Sequence, residues 1–332
     1  MRDFSVLGGT DVMALLEGRE KDVIELVRQA YLIHEAGDSV NPDSYFLRFP
    51  DKPDSRIIAL PGYLGGPVNT AGIKWIASFP GNVAQGIQRA SAVLVLNDYQ
   101  TGYPFALLES AGISAARTAA SAALAATVLG AAPAATVGVV GAGVIARTIV
   151  RYLAAAGMSL TEVRCHDLDE ESQRALVGHL RTQHGAGASV TSLTEAIACD
   201  LVVFATTALR PYVPATTALR PGQLLLNVSL RDLAPQTLLT ANNVLDDVEH
   251  CLKADTSPHL TEQLTRGRAF ISGTLAEVIG GKVRLDPARP TVFSPFGLGI
   301  LDIALGHFLY ELAAAEGRLL PVPNFFAETR RW

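Results

Sequence analysis

The sequence predicts an α/β protein built on a doubly wound parallel sheet, and three observations carry that prediction. First, from about residue 136 onward short apolar runs alternate with helical stretches: "VGVV", "EVRCHDLD", "CDLVVFATTA", "QLLLNVSL" and "NVLDDVE" read as buried strands. Second, "VGVVGAGVIA" places Gly141, Gly143 and Ala146 in a G-x-G-x-x-A pattern between a strand and the helical run "RTIVRYLAAAG". Third, the next predicted strand ends in Asp167, close to the distance at which such turns are followed by an acid.

The elements ahead of that region have a different character. Residues Asp11 to Ala36 form one amphipathic helical pattern, with Val23, Leu26, Val27, Ala30 and Leu32 on a common face. Residues 44–107 are short β-rich runs punctuated by Pro and Gly, including a strand, a turn at Gln100-Thr101-Gly102 and a returning strand in "NDYQTGYPFAL". A long Ala-rich helix is expected from about Ile113 to Leu129. Arg117, Pro133 and several glycines interrupt the apolar segment around it, which therefore does not read as a membrane span. The hexapeptide "TTALRP" occurs at 206–211 and again at 216–221, but the ten-residue period does not continue, so it is read as coincidence rather than a repeat architecture.

The 332 residues are 49% hydrophobic and 18% charged, which suits a sizeable core and two domains. A net charge of -5 without any basic block argues against a nucleic-acid partner. The opening "MRDFSVLGGTDVM" has neither a cationic start nor an apolar stretch of signal-peptide length, so no signal peptide is expected. Cys165, Cys199 and Cys251 stand far apart with no CxxC, as isolated reduced thiols of a cytoplasmic protein would. No HxxxH pair is present, and His250-Cys251 lacks a second ligand cluster, so no metal is expected.

The glycine turn is the candidate cofactor site. Gly141 permits a tight turn, Gly143 lets the backbone approach a pyrophosphate, and Ala142, Val144 and Ile145 complete the cradle at a helix N-terminus. Asp167 is the candidate acceptor for the adenine ribose hydroxyls, with Asp169 as competitor. An acid there repels a 2′-phosphate, which favours NAD over NADP. Thr206 and Thr207, in "FATTA" at the end of another strand, are candidates for touching the cofactor.

Three cations in ordered segments mark a candidate substrate site: Arg48 in "YFLRFP", Lys74 in "GIKWIA" and Arg117 in "ISAARTAAS". Charges in such surroundings need partners, and the sequence around them offers no acidic run. A substrate carboxylate would satisfy them, with arginine binding bidentately and lysine as a point charge. Arg48 and Lys74 are expected on neighbouring strands.

The chain resembles the ornithine cyclodeaminase/μ-crystallin family over nearly its whole length. The resemblance is carried by "GIKWIASFPGN", "VLVLNDYQTGYPFALLES", "ISAARTAA", "VGVVGAGVIA" and "TVFSPFGLGILD". It implies a Rossmann-type domain of residues 119–300 inserted in an α+β substrate-binding and dimerisation domain made of residues 1–118 and 301–332, and a homodimer. It also implies that Arg48, Lys74 and Arg117 grip the substrate carboxylate and that Thr118 faces the cofactor. Within the family, "NPDSYFLRFPDKPDSRIIALPGYLGG" and "NVSLRDLAPQTLL" look most like the branch that forms L-2,3-diaminopropionate for siderophores such as staphyloferrin B and for peptide antibiotics. The implied activity is NAD-dependent oxidation of N-(1-amino-1-carboxy-2-ethyl)-glutamate, followed by hydrolysis to 2-oxoglutarate and 2,3-diaminopropionate. Ornithine cyclodeaminase, alanine dehydrogenase and a crystallin-like dinucleotide-binding protein without turnover are the alternatives.

The sequence departs from the cyclodeaminase pattern at "VSLRDLAPQ". Arg231 and Asp232 compete for the position of the family's aspartate, and the following Gly-Lys is absent. An additional arginine suits a substrate with several carboxylates. Asp232 and Lys74 are the candidate bases, the latter if burial lowers its pKa.

Overall fold

A computed structural model describes residues 4–328. The terminal residues of the expected substrate domain, 1–3 and 329–332, lie outside the described residues. The chain divides into two compact units: Met1–Arg117 with Leu298–Trp332, and Thr118–Gly297.

The first unit opens with β1 (Ser5–Leu7), α1 (Gly9–Leu16) and α2 (Glu20–Glu35). The single helical pattern read from Asp11 to Ala36 is therefore two helices. Between them Glu17 is extended and Gly18 turns left-handed at φ 73°, a conformation that side chains disfavour and glycine adopts freely. Then come β2 (Ser39–Val40), β3 (Tyr45–Phe49), β4 (Lys52–Leu64), β5 (Thr70–Ser78), β6 (Ala90–Asp98) and β7 (Pro104–Glu109). Strands β4 to β7 pair antiparallel in chain order, and β3 pairs with β4. The turn between β6 and β7 is held by Asp98, whose carboxylate accepts from both the amide and the hydroxyl of Thr101. The boundary between units falls after Arg117, inside α3 (Ala111–Val128). Glu109 caps this helix by accepting from the amides of Ala111 and Gly112.

The second unit contains β8 (Val137–Val140), α4 (Val144–Ala155), β9 (Val163–His166), α5 (Glu170–His184), β10 (Ala188–Val190), α6 (Leu193–Ile197) and β11 (Leu201–Phe204). It continues through β12 (Leu224–Asn227), α7 (Pro235–Leu238), β13 (Asn242–Leu245), α8 (Val248–Cys251), α9 (Ser257–Thr265), β14 (Ile271–Thr274), α10 (Leu275–Ile279) and β15 (Thr291–Ser294). All eight strands are parallel, in the order β10-β9-β8-β11-β12-β15-β13-β14. The doubly wound parallel sheet predicted from the apolar runs is thus present. Strands β8, β11, β12, β13 and β15 are buried at every position, and the first three read as nearly continuous apolar runs rather than alternating ones for that reason. Residues 206–223, which hold both copies of "TTALRP", connect β11 to β12 without regular structure.

The chain returns to the first unit with α11 (Gly299–Ala315) and β16 (Leu320–Pro321), and β16 pairs antiparallel with β1. Helix α11 lies on one face of the β4–β5–β6 ribbon. Gly62 and Gly306 let it approach closely: a Cβ at Gly62 would stand 3.1 Å from Ile303 Cδ1, and one at Gly306 2.2 Å from Leu94 Cδ2, while one at Gly72 would stand 2.4 Å from the Val95 carbonyl oxygen of the neighbouring strand. The pleat sets Lys74 on this covered face, opposite Leu60 and Leu94. Its chain neighbours Ile73 and Trp75 point to the other face, where Trp75 and Val93 form an exposed cross-strand pair. Among the described residues no helix is long and apolar enough to cross a membrane.

Gly72→Ala is expected to lower the stability of the protein by about 1–3 kcal/mol, since the added methyl must displace backbone. The urea midpoint measures this, and an unchanged midpoint would show that β5 and β6 yield freely at that point.

Candidate active site

In the second unit the chain turns from β8 into α4 through Gly141, Ala142 and Gly143. The two halves of the parallel sheet are wound in opposite directions from β8 and β11, so the crevice beyond their carboxyl ends is the topological switch point where such sheets bind ligands. Gly141 has φ 101°, and a Cβ there would sit 2.3 Å from the Ala205 carbonyl oxygen at the end of β11, so no other residue fits. Gly143 is exposed with open space where its Cβ would be, and no side chain caps α4. The amides of Val144, Ile145 and Ala146 thus begin the helix without intrahelical partners, which suits a pyrophosphate.

The structure separates the two competing acids. Asp167 Oδ2 accepts from the Ala142 amide at 2.6 Å, which holds this carboxylate beside the glycine turn. Asp169 instead caps α5 by accepting from the Ser172 amide, and those hydrogen bonds hold its pKa below the ordinary carboxylate value. Residues Gly141 to Ile145 with Asp167 therefore fit a dinucleotide. Thr207 is exposed, but the Thr206 hydroxyl is committed: it donates to Asp232 Oδ1 at 2.6 Å.

Asp232, the other candidate base, lies in the second unit. It is fully buried and accepts three hydroxyls, from Thr206, from Tyr212 at 2.9 Å and from Ser229 at 2.5 Å. A carboxylate bonded in this way anchors the loops after β11 and β12. Burial, with Asp232 alongside, pushes the Tyr212 phenol well above its ordinary pKa. Arg231 lies in the second unit with its guanidinium donating to the Ala254 carbonyl.

In the first unit, Lys74 is 1% exposed and is not a surface lysine reaching for water. Its ammonium donates to Asp302 Oδ2 at 2.6 Å and to the Ser114 hydroxyl at 3.2 Å. Arg117 joins them, with Nε 3.3 Å from Asp302 Oδ1 and an NH2 contact to Ser114 at 3.4 Å. Burial pulls the Lys74 pKa down to about 8, assisted by the Arg117 charge and opposed by Asp302. The expectation that these cations lack an acidic mate is thus corrected. Asp302 is that mate, supplied by α11.

Arg48 stands apart from this group. Strand β4 lies between β3 and β5, so Arg48 and Lys74 are not on neighbouring strands. Arg48 pairs with Arg56, which pairs with Ser78, so it is offset from Lys74 by two strands and four residues of register, on the order of 15 Å. Its guanidinium rests over the Phe46 ring. Thr118 follows Arg117 in α3 and opens the second unit.

Sequence reasoning missed Asp302 and Ser114. Asp302 carries the same signal that singled out Lys74, a charge inside an otherwise apolar run, "GLGILDIALG". All three cysteines are buried, and burial raises each thiol, Cys165 to about 12, so little thiolate forms near neutrality. Among the described residues no group of His, Cys, Asp and Glu is arranged to hold a metal ion.

A parallel sheet with a glycine turn at its switch point, and a buried pair of cations around one carboxylate in a separate mixed-sheet unit, define a two-unit α/β protein. The chain belongs to the ornithine cyclodeaminase/mu-crystallin family, whose pattern matches residues 6–317. It is 26% identical to the N-((2S)-2-amino-2-carboxyethyl)-L-glutamate dehydrogenase of Staphylococcus aureus over 328 residues, covering 95% of this chain and 97% of that one. Among solved structures, it is similar to the Thermococcus litoralis Delta(1)-pyrroline-2-carboxylate reductase in complex with NADH and L-proline, with a TM-score of 0.88 and 25% identity over 96% of this chain and 100% of the other. It is also similar to an archaeal alanine dehydrogenase dimer with bound NAD, with a TM-score of 0.85 and 26% identity over 98% and 100% of the two chains.

Asp167→Ala is expected to weaken dinucleotide binding about 10- to 100-fold by removing a charged acceptor worth about 1.5–3 kcal/mol. Asp169→Ala instead removes a helix cap and lowers the melting temperature without weakening dinucleotide binding. Titration calorimetry and thermal melting on both variants check this, and an exchange of the two phenotypes would move the ribose contact to Asp169.

Proposed function

We propose that the protein is an NAD-dependent amino-acid dehydrogenase that oxidises N-(1-amino-1-carboxy-2-ethyl)-glutamate and yields L-2,3-diaminopropionate and 2-oxoglutarate, for siderophore or peptide-antibiotic assembly. The observation that carries the reading is the buried group of Lys74 and Arg117 around Asp302. It keeps the Arg117 guanidinium beside Lys74 with donors unspent, which suits an α-carboxylate in either protonation state of Lys74. Family membership, and similarity to a reductase in complex with NADH and L-proline and to an alanine dehydrogenase with bound NAD, support the chemistry. The replacement of the Gly-Lys stretch by "VSLRDLAPQ" favours the diaminopropionate reaction over ornithine cyclisation.

In this proposal the first unit binds substrate. The second holds NAD on Gly141, Ala142, Gly143, Val144, Ile145 and Asp167, with Thr207 as a further contact. NAD, when bound, supplies the hydride acceptor. The protein's own residues do the rest. Arg117 fixes the α-carboxylate so that the reacting C–H is held in one orientation. Lys74, neutral above its lowered pKa, takes the proton of the substrate's secondary amine. Loss of the hydride and this proton leaves a C=N bond. Addition of water then releases the keto acid and the primary amine. Arg48 serves a more distant carboxylate of the same substrate. The three buried reduced thiols fit a cytoplasmic setting.

We also propose a homodimer formed through the uncovered face of the mixed sheet, where Ile73, Trp75, Val93 and Val95 lie side by side. Val93→Glu is expected to convert a dimer to a monomer in light scattering, and a wild-type monomer would remove the proposal.

The activity is tested by incubating the protein with NAD and each of three substrates. Net NADH formation with the glutamate adduct is expected. NADH from alanine alone would make it an alanine dehydrogenase, and proline from ornithine without net NADH a cyclodeaminase. Tight NAD binding with no turnover on any of them would leave a binding protein. If Lys74 is the base, kcat/KM for oxidation rises with pH about a midpoint near 8, because the proton-accepting form is the deprotonated one. A profile flat from pH 7 to 9 would exclude Lys74 from that role.

A further inference from the structure

We propose that Asp302 is a positioning residue for the reaction: together with Ser114 it orients the Lys74 amine and the Arg117 guanidinium toward a common substrate carboxylate and sets the charge of the pair. The proposal rests on the reading of Lys74 and Arg117 as substrate ligands given above, and it deepens that reading.

An ammonium has three N–H donors. Lys74 spends one on Asp302 and one on Ser114, so the third position is fixed, an N–H in the ammonium and the lone pair in the neutral amine. A guanidinium has five. Arg117 commits Nε to Asp302 and NH2 to Ser114, which fixes the plane of the group and leaves NH1 unengaged. The same two acceptors thus hold both cations, one carboxylate oxygen to each. Both anchors are themselves held: Asp302 has no exposure, on the face of α11 that rides on Gly62 and Gly72, and Ser114 is buried in α3.

The electrostatics agree. Among the described residues, β4 presents Leu60 to Lys74, β6 presents Leu94, α3 presents Arg117 and Ser114, and α11 presents Asp302. The next titratable group along α11, His307, meets Thr70 instead. Asp302 is thus a carboxylate facing two cations. Without it, two like charges would stand together in a nearly dry place, and the amine would shed its proton to relieve the repulsion. With it, the group carries one net positive charge while Lys74 is protonated and none once Lys74 is neutral. A lysine and an arginine brought together without this carboxylate would repel each other and lose their shared orientation. Stability alone gives little reason for the arrangement, because a buried ion pair is commonly no better than apolar packing of the same volume.

The test reads Lys74 directly. The protein has five lysines, so the 13Cε resonances of lysine-labelled protein are few, and Lys74→Met identifies the one in question. In Asp302→Asn the Lys74 titration midpoint is expected to fall by about 1–3 pH units. The rising limb of kcat/KM against pH is expected to move by the same amount, with KM for the substrate raised and NAD affinity unchanged. Ser114→Ala leaves every charge in place and isolates orientation. It is expected to lower kcat/KM about tenfold, with little change in the Lys74 midpoint, and it stands as the test should Asp302→Asn fail to fold. A Lys74 midpoint unmoved in Asp302→Asn, or Ser114→Ala kinetics identical to wild type, overturns the proposal. Full turnover by Lys74→Met is a different failure. It would remove the reading of the substrate site itself, whatever the Asp302 variants show.

Discussion

A lysine amine and an aspartate carboxylate, 2.6 Å apart and almost entirely shut off from water, hold the first unit's chemistry in place. Taking two such ions out of water costs several kcal/mol each, and their mutual attraction only roughly repays it. The sequence around them reflects that cost. Lys74 sits at the middle of a strand whose covered-face neighbours are Leu60 and Leu94, and Asp302 lies on a helix of Ile, Leu, Ala and Gly. Neither residue is tolerable where it is without the other. The close seat of α11 on Gly62, Gly72 and Gly306 is what keeps their distance short.

The second unit solves a different problem, the approach of backbone to backbone. Between the ends of β8 and β11 the chain must pass within van der Waals contact of the Ala205 carbonyl, and only a residue without a Cβ can do so. That constraint fixes the sharpness of the turn, and the turn fixes where α4 begins. A helix that begins without a side-chain cap presents its first amides outward. Asp167, pinned by the Ala142 amide, stands beside them. Behind this, Asp232 gathers three hydroxyls and ties the loops after β11 and β12 together, so the crevice has a rigid wall.

The doubly wound sheet was legible in the sequence because its signals are local. The central strands β8, β11 and β12 are buried on both faces and almost wholly apolar, and the glycine turn follows from a few adjacent residues. The first unit was legible as β-rich for the same reason, and Gly18 broke the expected first helix where a left-handed residue was needed. What stayed hidden is non-local. Asp302 lies 228 residues from Lys74, and no pattern within either segment names the other. Both were visible as anomalies, charges within apolar runs, but nothing along the chain said that two anomalies cancel. Arg48 misled for the converse reason. Its strand neighbours β4 rather than β5, and a strand's partners cannot be read from its own composition. Asp232 and Arg231 could not be told apart by pattern, because which of two consecutive residues points inward depends on the backbone of an irregular loop.

The first unit is discontinuous, and this has a consequence for how the protein is made. Strands β3 to β7 leave the ribosome early, with Lys74 already among them, whereas the helix that covers their inner face follows the whole second unit. Synthesis proceeds at roughly 5–20 residues per second, so a sheet with one uncovered apolar face and an unpaired lysine waits on the order of ten seconds for its lid. The second unit is contiguous and able to complete its own core during that interval. The order of maturation in the cell is thereby written into the gene: the dinucleotide-type sheet closes first, and the cation site comes into being last, in the same event that buries the inner face of the first unit.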